Sequence, residues 1–201
     1  MQLEDSMPKF SKHEKQLISQ KLLTVAEKLF CEYGLKKVTV AEITKAAAIA
    51  KGSFYAFYPN KEELYFHILV NCQKDMWQKM DCYLKQNHML KQRELVKKTM
   101  IYLFDLLPQY PLIKKTDSET MAVLFRKLPS KVIENHSSED AEALNLFMDY
   151  GVRFTQPIDV VTKAFQALYG VIVLLEKEDE GLRWQVLTVM MNGLINELVE
   201  E

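Results

Sequence analysis

Residues 38–64 read VTVAEITKAAAIAKGSFYAFYPNKEEL, and this stretch decides the fold of the first part of the chain. Thr39 and Glu42 have the spacing of a capping box, so a helix is predicted to begin there and to run to about residue 46. A turn near residues 47–49 leads into another short helix, from about residue 50 to residue 57. Pro59 ends that helix, and Asn60 is placed to cap the next one. Two short helices joined by a tight turn are typical of a helix-turn-helix DNA-binding motif.

A longer helix is predicted before this motif, from Ser11 to Tyr33. Its apolar residues recur every three or four positions, as they do on the buried face of an amphipathic helix. Gly34 follows where a left-handed cap would end the helix. Together these elements predict a three-helix domain over residues 1–60.

The rest of the chain, residues 61–201, also has the helical period. Prolines and glycines interrupt it at intervals, so that nine or ten helices are expected in all. Residues 169–175 have the composition of a strand, but they lie inside a longer helical pattern and are predicted to be helical. The sequence therefore predicts an all-α protein.

Composition and charge narrow the function. The chain has 201 residues, of which 48% are hydrophobic and 26% charged, enough to bury a core and too apolar for a disordered protein. Residues 9–61 carry ten lysines and four glutamates, a net charge of +6, whereas the remainder carries −7. A basic first quarter suggests contact with a polyanion. The alternative is a set of solvated helix faces that happen to be rich in lysine.

No targeting or membrane-spanning segment is expected. Residues 1–6 are acidic and polar, unlike a secretory signal, and the longest apolar run, residues 167–175, is half as long as a membrane span. The three cysteines and four histidines have no metal-ligand spacing. We therefore expect a cytoplasmic protein without a metal or another cofactor.

The motif at residues 38–64 resembles the N-terminal domain of the TetR (tetracycline-repressor) family of transcriptional regulators. The shared features are the Thr-initiated second helix, the Lys-Gly-x-Phe-Tyr third helix and the Lys-Glu-x-Leu start of the fourth, and the similarity covers residues 15–66. The resemblance implies a helix-turn-helix domain followed by a helical ligand-binding and dimerisation domain. It also implies phosphate contacts from Thr39, Tyr55 and Lys61, and base contacts from the first turn of the third helix. The expected DNA-binding residues are Thr39, Lys51, Gly52, Ser53, Tyr55 and Lys61.

Each of these residues also has a purely structural interpretation. Thr39 can be a helix cap without DNA, Tyr55 a half-buried core ring, and the lysines solvated side chains. The chain also departs from the family pattern: Ala48 stands where the turn often has Gly, and Ala50 where the third helix often has a Ser or Thr cap. These two departures predict a strained turn and a weakly capped third helix.

The segment between residues 64 and 150 is rich in methionine and aromatic residues. In the resembled family this region forms a ligand pocket, and such side chains line adaptable apolar pockets, although at helical spacing they are more often plain core. The expected effector is a small apolar or aromatic molecule. The candidate pocket residues are Met80, Tyr102, Phe104, Met121, Phe125, Phe147, Tyr150 and Phe165.

The last two predicted helices are apolar over more than one face, so each needs partners on more than one side. A second subunit can supply the partner helices on one side, which gives a four-helix bundle. The alternative is a helix pair that is fully buried within a monomer. A homodimer suits a helix-turn-helix that reads an inverted-repeat operator in double-stranded DNA. The candidate interface residues are Ile158, Val161, Phe165, Leu168, Ile172, Trp184, Leu187, Met191 and Leu194.

No catalytic motif was found: the sequence has no H-E-x-x-H, Walker, G-x-G-x-x-G or G-x-S-x-G pattern. We therefore predict a dimeric, ligand-released repressor of transcription rather than an enzyme. The alternative is a helical protein-interaction adaptor that retains the fold without specific DNA binding. The sequence does not specify the operator, the regulated genes or the effector, nor does it distinguish repression from activation.

Overall fold

The computed structural model describes the backbone of residues 11–175 and 178–201, and the side chains there except those of residues 133–142, 172 and 173. The expectation for residues 1–6 and the interface role of the Ile172 side chain lie outside the described residues. The described chain is helical, which confirms the predicted fold class, and its one extended pairing there is an isolated bridge between Phe154 and Val199. The α-helices are α1 Lys12–Lys37, α2 Val40–Ala47, α3 Lys51–Phe54, α4 Lys61–Asn87, α5 Gln92–Leu106, α6 Pro111–Lys115, α7 Ser118–Lys127, α8 Ser130–Asp149, α9 Ile158–Leu174 and α10 Glu180–Leu198, with a 3₁₀ turn at Leu107–Gln109.

Local signals account for the helix boundaries in the first part of the chain. The Ser11 hydroxyl accepts from the Glu14 N–H at the start of α1, and the Asn60 Oδ1 accepts from the Glu63 N–H at 2.8 Å at the start of α4. Gly34 interrupts α1 with φ 79° and ψ 163°, a conformation open to glycine. Regular α1 helix therefore ends where the sequence predicted, although Gly34 is not in the left-handed helical region.

The chain forms two compact units. The first contains Met1–Asn71 and Pro111–Leu128, and the second contains Cys72–Tyr110 and Pro129–Glu201. The functional boundary expected between residues 60 and 61 stays a prediction. The core of the first unit includes the edge-on ring pair Phe30 and Tyr65, with centroids 5.0 Å apart. Other fully buried side chains in this unit are Leu22, Ile43, Phe54, Leu64, Leu112 and Leu124.

The second unit has its own apolar core, to which α4, α5, α8, α9 and α10 contribute. At one end of this core, Arg93 donates to the main-chain carbonyls of Asn196, in the last turn of α10, and Val199, the C-cap residue. Residues 169–174 lie within α9, so the segment with strand composition is helical as predicted. The buried members of this core include Met80, Leu84, Leu95, Val96, Leu144, Phe147, Val161, Leu168, Leu187, Met191 and Ile195.

Candidate nucleic-acid interface

Helix α2 begins with the predicted capping box. The Glu42 N–H donates to the Thr39 hydroxyl oxygen at 3.3 Å, and the Thr39 N–H donates to Glu42 Oε2 at 2.8 Å. The Thr39 hydroxyl also donates to that carboxylate at 2.8 Å, which is the main reason why the pKa of Glu42 lies below its usual value. Thr39 is exposed, so this helix N-terminus faces solvent with its first backbone N–H groups fixed.

The turn between α2 and α3 has the strain that the sequence predicted. Ala48 has φ 52° and ψ 46° and is the one non-glycine residue with positive φ in the described chain. A left-handed alanine costs about 1–2 kcal/mol relative to the right-handed conformation. Ala50 then precedes α3 without a side-chain cap bond. Both departures from the family pattern therefore have the expected structural result.

Helix α3 is a single turn, shorter than the predicted span of residues 50–57. Phe54 anchors it in the core, while Lys51 and Gly52 are exposed and Ser53 is half-buried. Residues 55–57 continue the chain as tight turns. The helix begins where the sequence predicted, and it is shorter because regular helix ends at Phe54 instead of residue 57.

Tyr55 projects beside this turn. Its side chain is 55% exposed, and its ring packs edge-on against Phe54 with centroids 5.5 Å apart. The interpretation of Tyr55 as a half-buried core ring is therefore not favoured. A tyrosine held by its ring with an accessible hydroxyl is suited to donate a hydrogen bond to a phosphate.

Lys61 occupies a different environment from the other candidate residues. Its ammonium donates to the main-chain carbonyls of Leu35 at 2.7 Å and Val38 at 2.6 Å. The side chain is half-buried, so it is not the solvated lysine of the structural alternative. The structure brings all six candidate residues into the first unit, but Lys61 is engaged there by main chain.

The candidate ligand residues are divided between the two units. Met80 and Phe147 are buried in the core of the second unit, and Phe104, Tyr150 and Phe165 pack against it. Tyr102 stacks on Tyr83 in the same unit, with centroids 4.3 Å apart. Met121 and Phe125 belong to the first unit, where Phe125 is exposed. A pocket within the second unit would therefore exclude these last two residues.

Four of the candidate interface residues are buried in the core of the second unit: Val161, Leu168, Leu187 and Met191. They have little or no surface left for another chain, because the face of each helix that they occupy covers the protein's own core. Phe165, Trp184 and Leu194 are half-buried, and Ile158 is exposed.

Each of the last two helices exposes a different apolar stripe. On α9 the outer stripe is Val160, Ala167 and Leu174, spaced seven residues apart, and Leu174 is 79% exposed. The spacing is a signal from which this stripe can be found, since positions seven apart lie on one helix face. The outer stripe on α10 is Leu182, Val186, Val189 and Met190, which line one shallow groove.

No helix in the described parts of the chain combines the length and apolarity needed to cross a bilayer. Within those same residues, no three His, Cys, Asp or Glu side chains are grouped in a way that could hold a metal ion.

Comparison with known proteins gives a family match and two relatives that each cover part of the chain. The model of the family described as bacterial regulatory proteins, tetR family, matches residues 22–68. The chain is 40% identical over 60 residues to the uncharacterized HTH-type transcriptional regulator YhgD of Bacillus subtilis. Those residues make up 30% of this chain and 31% of that protein. It is 36% identical over 61 residues to the HTH-type transcriptional regulator QacR of Staphylococcus aureus, covering 30% of this chain and 32% of that protein. The matches therefore span about a third of either relative.

The similarity of fold extends further than the similarity of sequence. A crystal structure of a TetR-family transcriptional regulator from Streptomyces coelicolor superimposes with a TM-score of 0.64, over 89% of this chain and 98% of that chain. The identity is 12%, so this likeness shows the fold alone. Both comparisons agree with the resemblance found in the sequence.

Proposed function

We propose, from the family match over residues 22–68, that this chain is a member of the TetR family of bacterial regulatory proteins and a dimeric, sequence-specific DNA-binding regulator of transcription. It acts as a repressor in the cytoplasm, where it covers an inverted-repeat operator, and a small apolar or aromatic effector releases it. It is not an enzyme.

The observation that carries the proposal is the exposed surface of the α2–α3 motif, residues Val40–Phe54 with Thr39 and Tyr55 at its ends. The capped N-terminus of α2 can bind a phosphate through its free N–H groups and the positive end of the helix dipole. Lys51 and Gly52 stand on the first turn of α3, the part of a recognition helix that reaches base edges. This turn carries few hydrogen-bonding side chains, so contacts with thymine methyl groups and DNA shape supply much of the specificity.

The outer stripes of α9 and α10 support the dimer. Val160, Leu174 and Val189 are large apolar side chains that are 47%, 79% and 73% exposed. Exposed apolar side chains that recur along one helix face mark an interaction surface. A second copy that buries the same stripes gives a two-fold interface and brings two DNA-binding motifs to paired half-sites.

The methionine and aromatic side chains of the second unit support an apolar effector. Phe104 lies against Trp184 with ring centroids 6.4 Å apart, and Tyr83 stacks on Tyr102. Side chains of these types adapt to flat apolar ligands because methionine repacks easily and aromatic rings stack. The residues proposed to contact the effector in this unit are Met80, Tyr102, Phe104, Phe147, Tyr150 and Phe165.

The proposal is tested by selection of a random double-stranded DNA pool on the purified protein at near-physiological salt. We expect an enriched inverted repeat, because two motifs related by a two-fold axis read the same half-site in opposite directions. Near-physiological salt is needed since nonspecific phosphate attraction dominates at low salt. A folded protein that enriches no sequence, with or without a panel of small aromatic molecules, would contradict the proposal.

A further inference from the structure

The Lys61 side chain ends among main-chain carbonyls that helix α1 leaves without helical partners. Its Nζ atom donates to the Leu35 and Val38 oxygens at 2.7 and 2.6 Å, and it lies 3.3 Å from the Lys36 oxygen. Regular helix is interrupted at Gly34, so carbonyls beyond that point need other donors. An ammonium group has three N–H donors, the number of these carbonyls.

The Val38–Thr39 peptide group is held from both sides by charged side chains. Its carbonyl accepts from Lys61, and its N–H donates to the Glu42 carboxylate at 2.8 Å. This peptide group directly precedes Thr39, the N-cap residue of α2. The Val38 side chain is also buried, which fixes the same residue from the core side. Lys61 and Glu42 therefore bond to the two sides of the peptide group that leads into α2.

We propose that Lys61 is a positioning residue of the DNA-binding surface, whose ammonium holds the connection between α1 and α2 so that the N-terminus of α2 faces the phosphate backbone. This inference rests on the proposed function. It replaces the expected phosphate contact of Lys61, because the donors that such a contact needs are engaged by the three carbonyls.

The three acceptors also explain why lysine occupies this position. They converge on a single nitrogen, which a compact ammonium satisfies with its three tetrahedral donors. The planar guanidinium of arginine spreads its donors over three nitrogens in a fixed fork. A phosphate contact would tolerate arginine at this position, since arginine binds phosphate at least as well as lysine. Replacement by arginine therefore separates the two roles.

The first test measures the affinity of the enriched duplex for wild type, Lys61→Met, Lys61→Arg and Lys51→Met over a range of salt. We expect Lys61→Met to weaken binding about tenfold at every salt concentration with no change in the slope of log K against log salt. Lys51→Met, the matched control on the exposed turn, should reduce the magnitude of that slope, because a lysine brought close to the duplex displaces condensed cations whether it contacts a base or a phosphate. Arginine at position 61 does not restore affinity. A slope lowered by Lys61→Met, or full restoration by arginine, would overturn the inference.

The second test uses hydrogen–deuterium exchange of the DNA-free protein. In Lys61→Met, which lacks the ammonium, the amides of residues 35–42 should exchange faster than in wild type, while the amides of residues 18–30 in α1 should keep their protection from exchange. Equal loss of protection throughout the first unit would reduce Lys61 to an ordinary stability contact and overturn the inference. A wild type that selects no duplex would instead overturn the proposed function, and the exchange result still shows whether Lys61 holds the connection.

Discussion

The α2–α3 motif and the α9–α10 pair expose opposite chemistry to solvent. The motif presents a capped helix N-terminus, a lysine and a tyrosine around a single anchored turn, whereas the pair presents stripes of large apolar side chains. A polar surface with a positive helix end suits a polyanion, and an apolar stripe suits another apolar surface. Two such surfaces on one chain fit a protein that binds DNA with one and a second copy of itself with the other.

The largest expected effect comes from placing a charge on the outer stripe of α10. Val189→Glu should convert the dimer to a monomer, because a carboxylate buried in an apolar interface has no partner. Light scattering at micromolar concentration measures the change. The control is Met89→Glu, which alters an 86% exposed apolar residue of the same unit outside these helices and should leave the dimer intact. A wild type that is already monomeric would contradict the proposed interface.

The buried face of α9 should respond through folding rather than assembly. In the monomeric Val189→Glu background, Leu168→Ala is expected to lower the free energy of unfolding by about 2–5 kcal/mol, since it leaves a cavity in the core. Leu174→Ala in that background should change it by about 0.5 kcal/mol or less, because the side chain is solvated. Urea denaturation compares the two. Similar losses for both would mean that the two faces of α9 do not differ as described.

In the α2–α3 motif, Thr39→Ala removes the side-chain cap of α2. The expected loss is about 1 kcal/mol of unfolding free energy, or about 2–4 °C in melting temperature. Thr39→Ser keeps the hydroxyl and serves as the matched control. If alanine and serine melted at the same temperature, the capping box would not stabilise the motif.

Helix α3 offers the converse change, since its N-terminus has no cap to lose. Ala50→Ser supplies one and should raise the melting temperature by about 2 °C without abolishing DNA binding. Thermal unfolding followed by circular dichroism measures this difference. A lower melting temperature for the serine variant would contradict the description of α3 as an uncapped helix.

The sequence predicted the motif better than the helix pair, for a physical reason. The caps at Thr39 and Asn60 and the strain at Ala48 depend on residues within three or four positions, so local spacing is enough to find them. The packing of Leu168 inward and Leu174 outward depends on which helix covers each face. Both stripes of α9 are apolar and helical in period, and periodicity alone does not rank them.

Lys61 shows the same limit within the motif. Its carbonyl partners lie 23 to 26 residues earlier in the chain, at the end of α1. Nothing in the spacing of the sequence indicates that the two points meet, so the family resemblance alone led to a phosphate contact there. The fold places the ammonium against main-chain carbonyls, a contact that local spacing does not indicate.

The most direct test of the proposed DNA-binding surface compares two single variants, each of which reverses the charge of one exposed lysine of the first unit. Binding of each variant to the selected duplex is measured. Lys51→Glu lies on the exposed turn of α3, and Lys127→Glu lies in α7, outside residues 22–68. We expect Lys51→Glu to abolish specific binding and Lys127→Glu to leave it within about twofold of wild type, since repulsion between an introduced carboxylate and the phosphates falls off within a Debye length. Specific binding that survives Lys51→Glu, or that both variants reduce equally, would contradict the assignment of the DNA-binding surface to the α2–α3 motif.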